Sequence, residues 1–355
     1  MADVRPFRAV RYGERAGALE DLVAPPYDVL DETQRAEHLD RSPHNVVHLT
    51  LPDDEASAAR TWRSWQDEGV LVRDESPAFW ALVQDYVGPD GVARTRTGVV
   101  ASLRVEPYGA GTVLPHERTH RGPKEGRLRL LRATRAQLEP IFLLYDGGAP
   151  FSVPDREPDV EVEGARLWRL DDDLSAFFGD RQLLIADGHH RYETAVAFHE
   201  EDGGDATAWM MVVLVSTEDP GLTIFPTHRV FAEGDARWNG TATSVEEALS
   251  ELDRAPDDHG AFVEYDGAAR VVDPGRGTLA VQVVDELGHE GLTYTPDASE
   301  AVRRVDDGGA SVAYLLRPTR IEDVFELARR GDVMPQKSTY FFPKLVSGLL
   351  FHPLD

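Results

Sequence analysis

The run Gln182-Leu183-Leu184-Ile185-Ala186-Asp187-Gly188-His189-His190-Arg191-Tyr192-Glu193-Thr194-Ala195 constrains this chain more than any other stretch. Four consecutive apolar residues read as a strand covered on both faces, and Asp187-Gly188 ends it. A helix must begin at once, because Ala195, Val196 and Phe198 form its apolar stripe. Asp187 stands where an N-cap belongs, and Gly188 lets the backbone pass close to a ligand. His189, His190 and Arg191 then occupy the first helical turn, where the dipole disfavours cations. An anion bound at that turn would account for all three. A capped helix with solvated histidines is the plain alternative.

Composition removes several other classes. The 355 residues carry 63 acidic and 37 basic groups, a net charge of −26. A field of that sign repels phosphate backbones, which argues against general nucleic-acid or anionic-membrane partners. With 41% apolar residues the chain can bury a core, yet its longest unbroken apolar run, Trp209 to Val215, is far short of a membrane span. No secretory pattern is visible in MADVRPFRAVRYG, so a cytoplasmic location is expected. There is no cysteine, which excludes disulfides, thiolate nucleophiles and Cys-ligated metals. Only Lys124, Lys337 and Lys344 among the basic residues are lysine, and all three lie in Gly/Pro-punctuated segments.

Along the chain, residues 1–146 read as an N-terminal α/β region. It contains helical periodicity at Glu32 to Leu39 and Ala56 to Glu68, and a hairpin of Phe79 to Val87 with Arg94 to Val105. A basic helix follows over Lys124 to Gln137, then the strand Ile141 to Tyr145. Residues 147–166 form a Pro/Gly-rich linker or insertion, and 167–231 a second αβ block holding the Asp-Gly-His-His-Arg motif. Residues 232–308 suggest an acidic peripheral subdomain with a strand at Thr278 to Val284. Residues 309–355 return to patterned sequence, with a strand at Ser311 to Leu316 and a helix at Ile321 to Arg330, and pack on the core.

Four shorter clusters carry chemistry. His116-Glu117-Arg118-Thr119-His120 satisfies the zincin pattern, which needs both histidines on one helical face. Pro115 before it and Gly122-Pro123 after it break any such helix. A polar loop delivering Glu117 as base or metal ligand, with Arg118 and Lys124 for phosphates, fits better; a solvated loop is the alternative. Pro25-Pro26-Tyr27-Asp28 is a rigid extended piece whose Tyr27 and Asp28 either line a substrate pocket or only set a strand entry. His228 and Arg229 follow a strand in Pro226-Thr227-His228-Arg229, and either contact phosphate or sit at the surface. Lys337 and Lys344 flank Tyr340, Phe341 and Phe342 in a segment that either docks on the core or also reaches the site. No Walker A, G-x-G-x-x-G or G-x-S-x-G pattern occurs.

The segment ADGHHRYETA is similar to the phosphate-gripping Gly-x-x-Arg segment of the ParB/sulfiredoxin superfamily, and to the Asp-Gly-His-His-Arg of archaeal free-serine kinases. Over almost its full length the chain also resembles the uncharacterised DUF1015 family. That match runs through APPYDVL, HNVVHLTLP, PHERTHRGPKEGRLRLLRATRAQLEPIF, ADGHHRYETA, PTHRVF and MPQKSTYFFPKLVSGLLFHPL. The resemblance implies an α+β fold with a ParB/sulfiredoxin-like mixed core and added αβ subdomains. It implies phosphoryl transfer from ADP or ATP to the hydroxyl of a small metabolite, free serine among them, with Mg²⁺ on Asp187 and Glu117. Asp187 would position substrate or metal, and His189, His190 and Arg191 would hold phosphate oxygens beside Gly188. The catalytic base is left open by the resemblance. A phosphatase acting on a phosphoserine-like ester, or a non-catalytic nucleotide-binding module, are the other readings. Three expectations follow: segments 24–29, 116–125 and 187–192 meet in one cleft, Lys337 or Lys344 joins them, and Arg191→Ala weakens phosphate binding while leaving folding nearly intact.

Overall fold

The computed structural model describes residues 1–117 and 121–355. The chain is α+β, built on a nine-stranded mixed sheet. From one edge the order is Val113–Leu114, Leu183–Asp187, Ile141–Tyr145, Trp209–Ser216, Ala93–Arg104, Phe79–Val87, Ala165–Leu170 and Val160–Val162, with Val4–Arg5 added against Ala93–Arg104. The sheet therefore takes strands from both sides of the 147–166 stretch. Two pairings are parallel, Leu183 and Leu184 with Val113 and Leu114, and Val212 to Ser216 with Ile141 to Tyr145. The strong apolar runs have a simple cause, because both faces of the sheet are covered. On one face Ile141, Leu143, Leu183, Ile185, Val212 and Leu214 pack under Tyr192 and Ala195 of the helix His189–Asp202. On the other, Phe142, Leu144, Leu184, Ala186, Met211 and Val213 meet Val324, Phe325 and Ala328 of the helix Ile321–Arg330, then Met334, Phe341 and Leu345. The C-terminal segment is thus a structural layer.

The helix Glu55–Asp67 starts where Asp54 accepts a bond from the Ser57 N–H at 2.7 Å, and it buries Ala58, Ala59, Trp62 and Trp65 at helical spacing. Glu32–Arg41 begins with a capping box between Asp31 and Gln34. These helices and Arg121–Thr134 form a shell whose third apolar cluster includes Trp62, Trp65, Leu130 and Phe351. A second, antiparallel sheet of five strands runs Ala269–Val272, Phe262–Tyr265, Val312–Leu316, His228–Phe231 and Leu292–Thr295. Val245–Arg254 and Ala298–Asp306 cover one face through Ala248, Leu252 and Ala301. Thr278 to Val284, whose pattern suggests a strand, is instead led by an extended Leu279 into the helix Ala280–Asp285. Val281 and Val284 are three residues apart, and that helical spacing puts both on the second face beside Phe262 and Tyr314. No helix among the described residues is long and apolar enough to cross a membrane.

Candidate functional site

The strand Leu183–Asp187 and the helix His189–Asp202 join through Gly188 alone. Its φ of 99° lies in the left-handed region, and a Cβ there would sit 2.6 Å from Ile141 Cγ2, so the turn requires glycine. Gly188, not Asp187, is the residue before the helix, and no side chain caps its N-terminus. The expected Asp187 cap is therefore absent for a specific reason: its carboxylate points to two cations instead. Oδ1 accepts from Lys344 Nζ, and Oδ2 pairs with Arg191 Nη2 at 2.8 Å. Burial alone would push Asp187 up, but Lys344 and Arg191 outweigh it and hold the carboxyl well below its usual range. Burial would likewise lower Lys344, and the ion pair raises it above its ordinary value.

The remaining sequence-identified residues divide into three groups. Tyr27 and Asp28, on the turn Tyr27–Val29, lie beside this centre. The Tyr27 ring stacks under the Arg127 guanidinium, 3.5 Å from its centroid, and the exposed Asp28 carboxylate is close enough to favour the charged forms of Lys344 and Arg191. Glu117 lies within electrostatic reach of Asp187, Lys344 and Lys337. Segments 24–29, 117 and 187–191 thus surround one centre, which Lys344 enters from the opposite sheet face. Lys337 adopts a left-handed φ of 59° and turns its backbone N–H to the Glu117 carboxylate.

A second group lies nearby but is committed to the fold. His228 is buried, and its Nδ1 accepts from the Leu316 N–H at 3.0 Å. Arg229 is 0% exposed; its Nη1 donates to the Thr227 carbonyl, and Glu117 lies within its electrostatic reach. Lys124 pairs with Glu193, one helical turn beyond the motif. His189 is buried, and its Nε2 accepts from the His116 N–H at 3.3 Å. Burial drives His189 well below its ordinary pKa, which favours the neutral form of the ring. His190 is half-buried in the first turn. Arg191 is only 10% exposed, and its Nη1 also donates to the Pro140 carbonyl at 2.5 Å. Arg191→Ala would leave Asp187 with Lys344 as its remaining cation, so a cost in stability is expected beside any loss of phosphate binding. The third group is Arg118, which with His120 lies outside the described residues.

Sequence reasoning weighed His116 only as a zincin ligand and passed over Glu139, and these two hold the arrangement together. His116 donates from Nδ1 to the Ile185 carbonyl at 2.6 Å, and its Nε2 shares a hydrogen bond with Thr339 Oγ1 at 2.9 Å. It lies before the helix that starts at Arg121, so it presents no zincin face. Glu139 accepts from the Tyr27 N–H at 3.1 Å and from Ser347 Oγ at 2.8 Å. Together His116 and Glu139 tie the C-terminal segment over the centre at Thr339 and Ser347. A cavity of ≈ 40 Å³ beside Arg191, Arg127 and Glu139 has room for about one water. A larger cavity of ≈ 560 Å³ lies between the five-stranded unit and the helix Ile321–Arg330, and shares no residue with the centre. Its arginines are already used: Arg317 caps the carbonyls of Ala255, Pro256 and His259, and Arg320 faces Asp257.

Among the carboxylates of this centre Glu117 is the one that burial pushes up. Burial pushes its carboxyl up to about 7, against the smaller opposing pull of the Lys337 N–H and ammonium. The native protein then holds a proton between pH 4.5 and about 7 that the unfolded chain has released. This contribution is fully present below pH 4.5 and is lost as pH rises through about 7. Glu117→Gln removes the titration while keeping the shape. The stability difference between wild type and this variant should therefore change by a few kcal/mol across that window, at about 1.4 kcal/mol per pKa unit. Chemical denaturation at several pH values reads it directly, and parallel curves would contradict the burial of this carboxyl.

A family profile described as "Protein of unknown function (DUF1015)" matches residues 4–295. No curated protein matches the chain. Among solved structures, a free serine kinase in complex with AMP is similar at 18% identity, over 71% of this chain and 92% of that one, with a TM-score of 0.40. A conserved hypothetical protein from Pyrococcus furiosus is similar at 17% identity, over 71% and 95%, with a TM-score of 0.38. A C-terminally truncated SbnI from Staphylococcus aureus is similar at 11% identity, over 70% and 85%, with a TM-score of 0.39.

Proposed function

Because this chain belongs to the DUF1015 family, whose description assigns no activity, we propose its function from the site: nucleotide-dependent phosphoryl transfer to the hydroxyl of a small metabolite, with Glu117 as base. The observation that carries this reading is a pair of carboxylates in one electrostatic field with opposite fates. Asp187 is kept ionised by Lys344 and Arg191, whereas Glu117 is held near neutrality by burial. Environments that push two acids apart separate a proton-transfer group from a charge-organising one. A base with a pKa near the working pH can take the hydroxyl proton without being permanently protonated.

In the transfer the acceptor oxygen attacks the terminal phosphorus of ADP or ATP. The new O–P bond forms as the bond to the nucleotide breaks, and the hydroxyl proton passes to Glu117. Such chemistry is mostly positioning and charge neutralisation. Lys344 and Arg191 supply fixed positive charge at the strand end, where the helix that starts at His189 adds the positive end of its dipole. A resident Mg²⁺ on Asp187 and Glu117 does not fit these residues. Both Asp187 oxygens are taken by cations, Glu117 is not reliably ionised near pH 7, and Mg²⁺ favours ionised oxygen ligands in octahedral geometry. Among the described residues no three His, Asp or Glu side chains cluster as a metal site.

The test is phosphorus NMR of the intact protein with ADP or ATP and a panel of hydroxyl-bearing metabolites including serine, alongside thermal shifts with each nucleotide. A new phosphomonoester signal, lost in Glu117→Gln while nucleotide still raises the melting temperature, is expected. Hydrolysis of phosphoserine without nucleotide would replace this reading with the phosphatase. Nucleotide stabilisation with no product in any mixture would leave a binding module, and no stabilisation at all would reject both nucleotide readings.

A further inference from the structure

We propose that Arg96 is a positioning residue, which sets the Lys344 ammonium on Asp187 by gripping the two carbonyls that immediately precede that lysine. Arg96 lies in the strand Ala93–Arg104 and is 1% exposed. Among the described residues no carboxylate bonds it. Its Nη2 donates to the Pro343 carbonyl at 2.8 Å and to Gln84 Oε1 at 2.6 Å, and its Nη1 to the Phe342 carbonyl at 3.2 Å. The guanidinium stacks on Phe142, 4.5 Å from the ring centroid, while its Nε has no partner.

Burying a guanidinium that no carboxylate bonds is costly even with Asp219 in its electrostatic field, and a neutral side chain could fill the same space. The rigid fork of arginine does what a neutral chain cannot: one planar group holds two successive carbonyls and an amide oxygen at once. Those carbonyls fix the backbone just before Lys344. On the near side Phe341 is buried against Phe142 and His116, and Tyr340 to Phe342 pair with Thr223 to Phe225. Lys344 then crosses to Asp187 Oδ1 with its ammonium 5.6 Å from the Tyr340 ring. Asp187 also lies in the electrostatic field of Arg96 itself. The buried cation thus acts on the site through the lysine that it places.

As a statement about catalysis this inference rests on the proposed phosphoryl transfer, but its test needs no nucleotide. The chain contains three lysines, so a side-chain spectrum of lysine-labelled protein is assignable by Lys→Arg changes at 124, 337 and 344. In the wild type the Lys344 signal should be displaced and slow to exchange. In Arg96→Gln it should move to the position of an exposed lysine, with Lys124 and Lys337 unmoved. If Arg96→Gln does not fold, Arg96→Lys keeps the buried charge but loses the fork; its added fourth lysine signal is identified as the one that survives a further Lys344→Arg change, and the displacement of the Lys344 signal should again be lost. A folded variant of either kind that retains the wild-type Lys344 signal overturns the proposal. Should Lys344 depend on Arg96 while no nucleotide is used, the positioning stands and the phosphoryl-transfer reading alone falls.

Discussion

Asp187→Ala is expected to lower stability by about 3–5 kcal/mol, because it strips the shared anion from two buried cations. Lys344 and Arg191 would face each other across an apolar strand end, with side-chain exposures of 21% and 10%. For a chain of 355 residues the corresponding fall in melting temperature is about 4–7 °C. Asp187→Asn should recover little of it, since an amide keeps the shape and not the charge. The informative comparison is the pair Asp187→Asn and Lys344→Met, alone and together. If the carboxylate matters through its cations, the double variant should be more stable than the sum of the single losses predicts. A melting temperature within a degree of wild type for Asp187→Ala would show that these ion pairs do not hold the site.

Phe351→Ala is the second large effect, at about 3–5 kcal/mol for removing a fully enclosed ring. Phe351 is 0% exposed and meets Trp62 and Tyr12 edge-on, at centroid distances of 5.5 and 5.8 Å. Its backbone exchanges two hydrogen bonds with Val10, at 2.8 and 2.9 Å, and these are untouched by the change. The loss therefore reports packing alone. Urea titration should show a lower midpoint with an unchanged slope. An unchanged midpoint would mean that the C-terminal residues are an appendage and not a layer of the core.

The legible part of this molecule was its local patterning. Phe79–Val87 and Ile321–Arg330 have the boundaries that alternation and helical spacing suggest, because burial on a sheet face or a helix stripe imposes a period on the residues themselves. The Asp187-Gly188 junction was legible for the same reason: only glycine suits that turn. The destination of the Asp187 carboxylate was not. Capping is a three-residue affair that sequence reports well, whereas the cation that captures Asp187 is Lys344, far along the chain and on the other face of the sheet. Glu139, Arg96 and the bonds that His116 makes were missed for a related reason. A histidine bonding a distant carbonyl and threonine, or an arginine bonding two carbonyls, leaves no spacing to read. Val281 and Val283 in the 278–284 stretch alternate as a strand would, and Val281 and Val284 repeat as a helix would. Tertiary packing chose the second.

The C-terminal layer carries a consequence for how the protein comes into being. Val10 with Phe351, Ala24 with Ser347 and Asp187 with Lys344 each join points separated by long stretches of chain. Closing such loops costs entropy before any contact rewards it, and folds rich in distant contacts form slowly. Ligand competence should therefore return in the slowest phase of refolding, well after helix content has recovered. A chain caught before that phase would have its helices and most of its sheet, yet Asp187 would still lack its lysine.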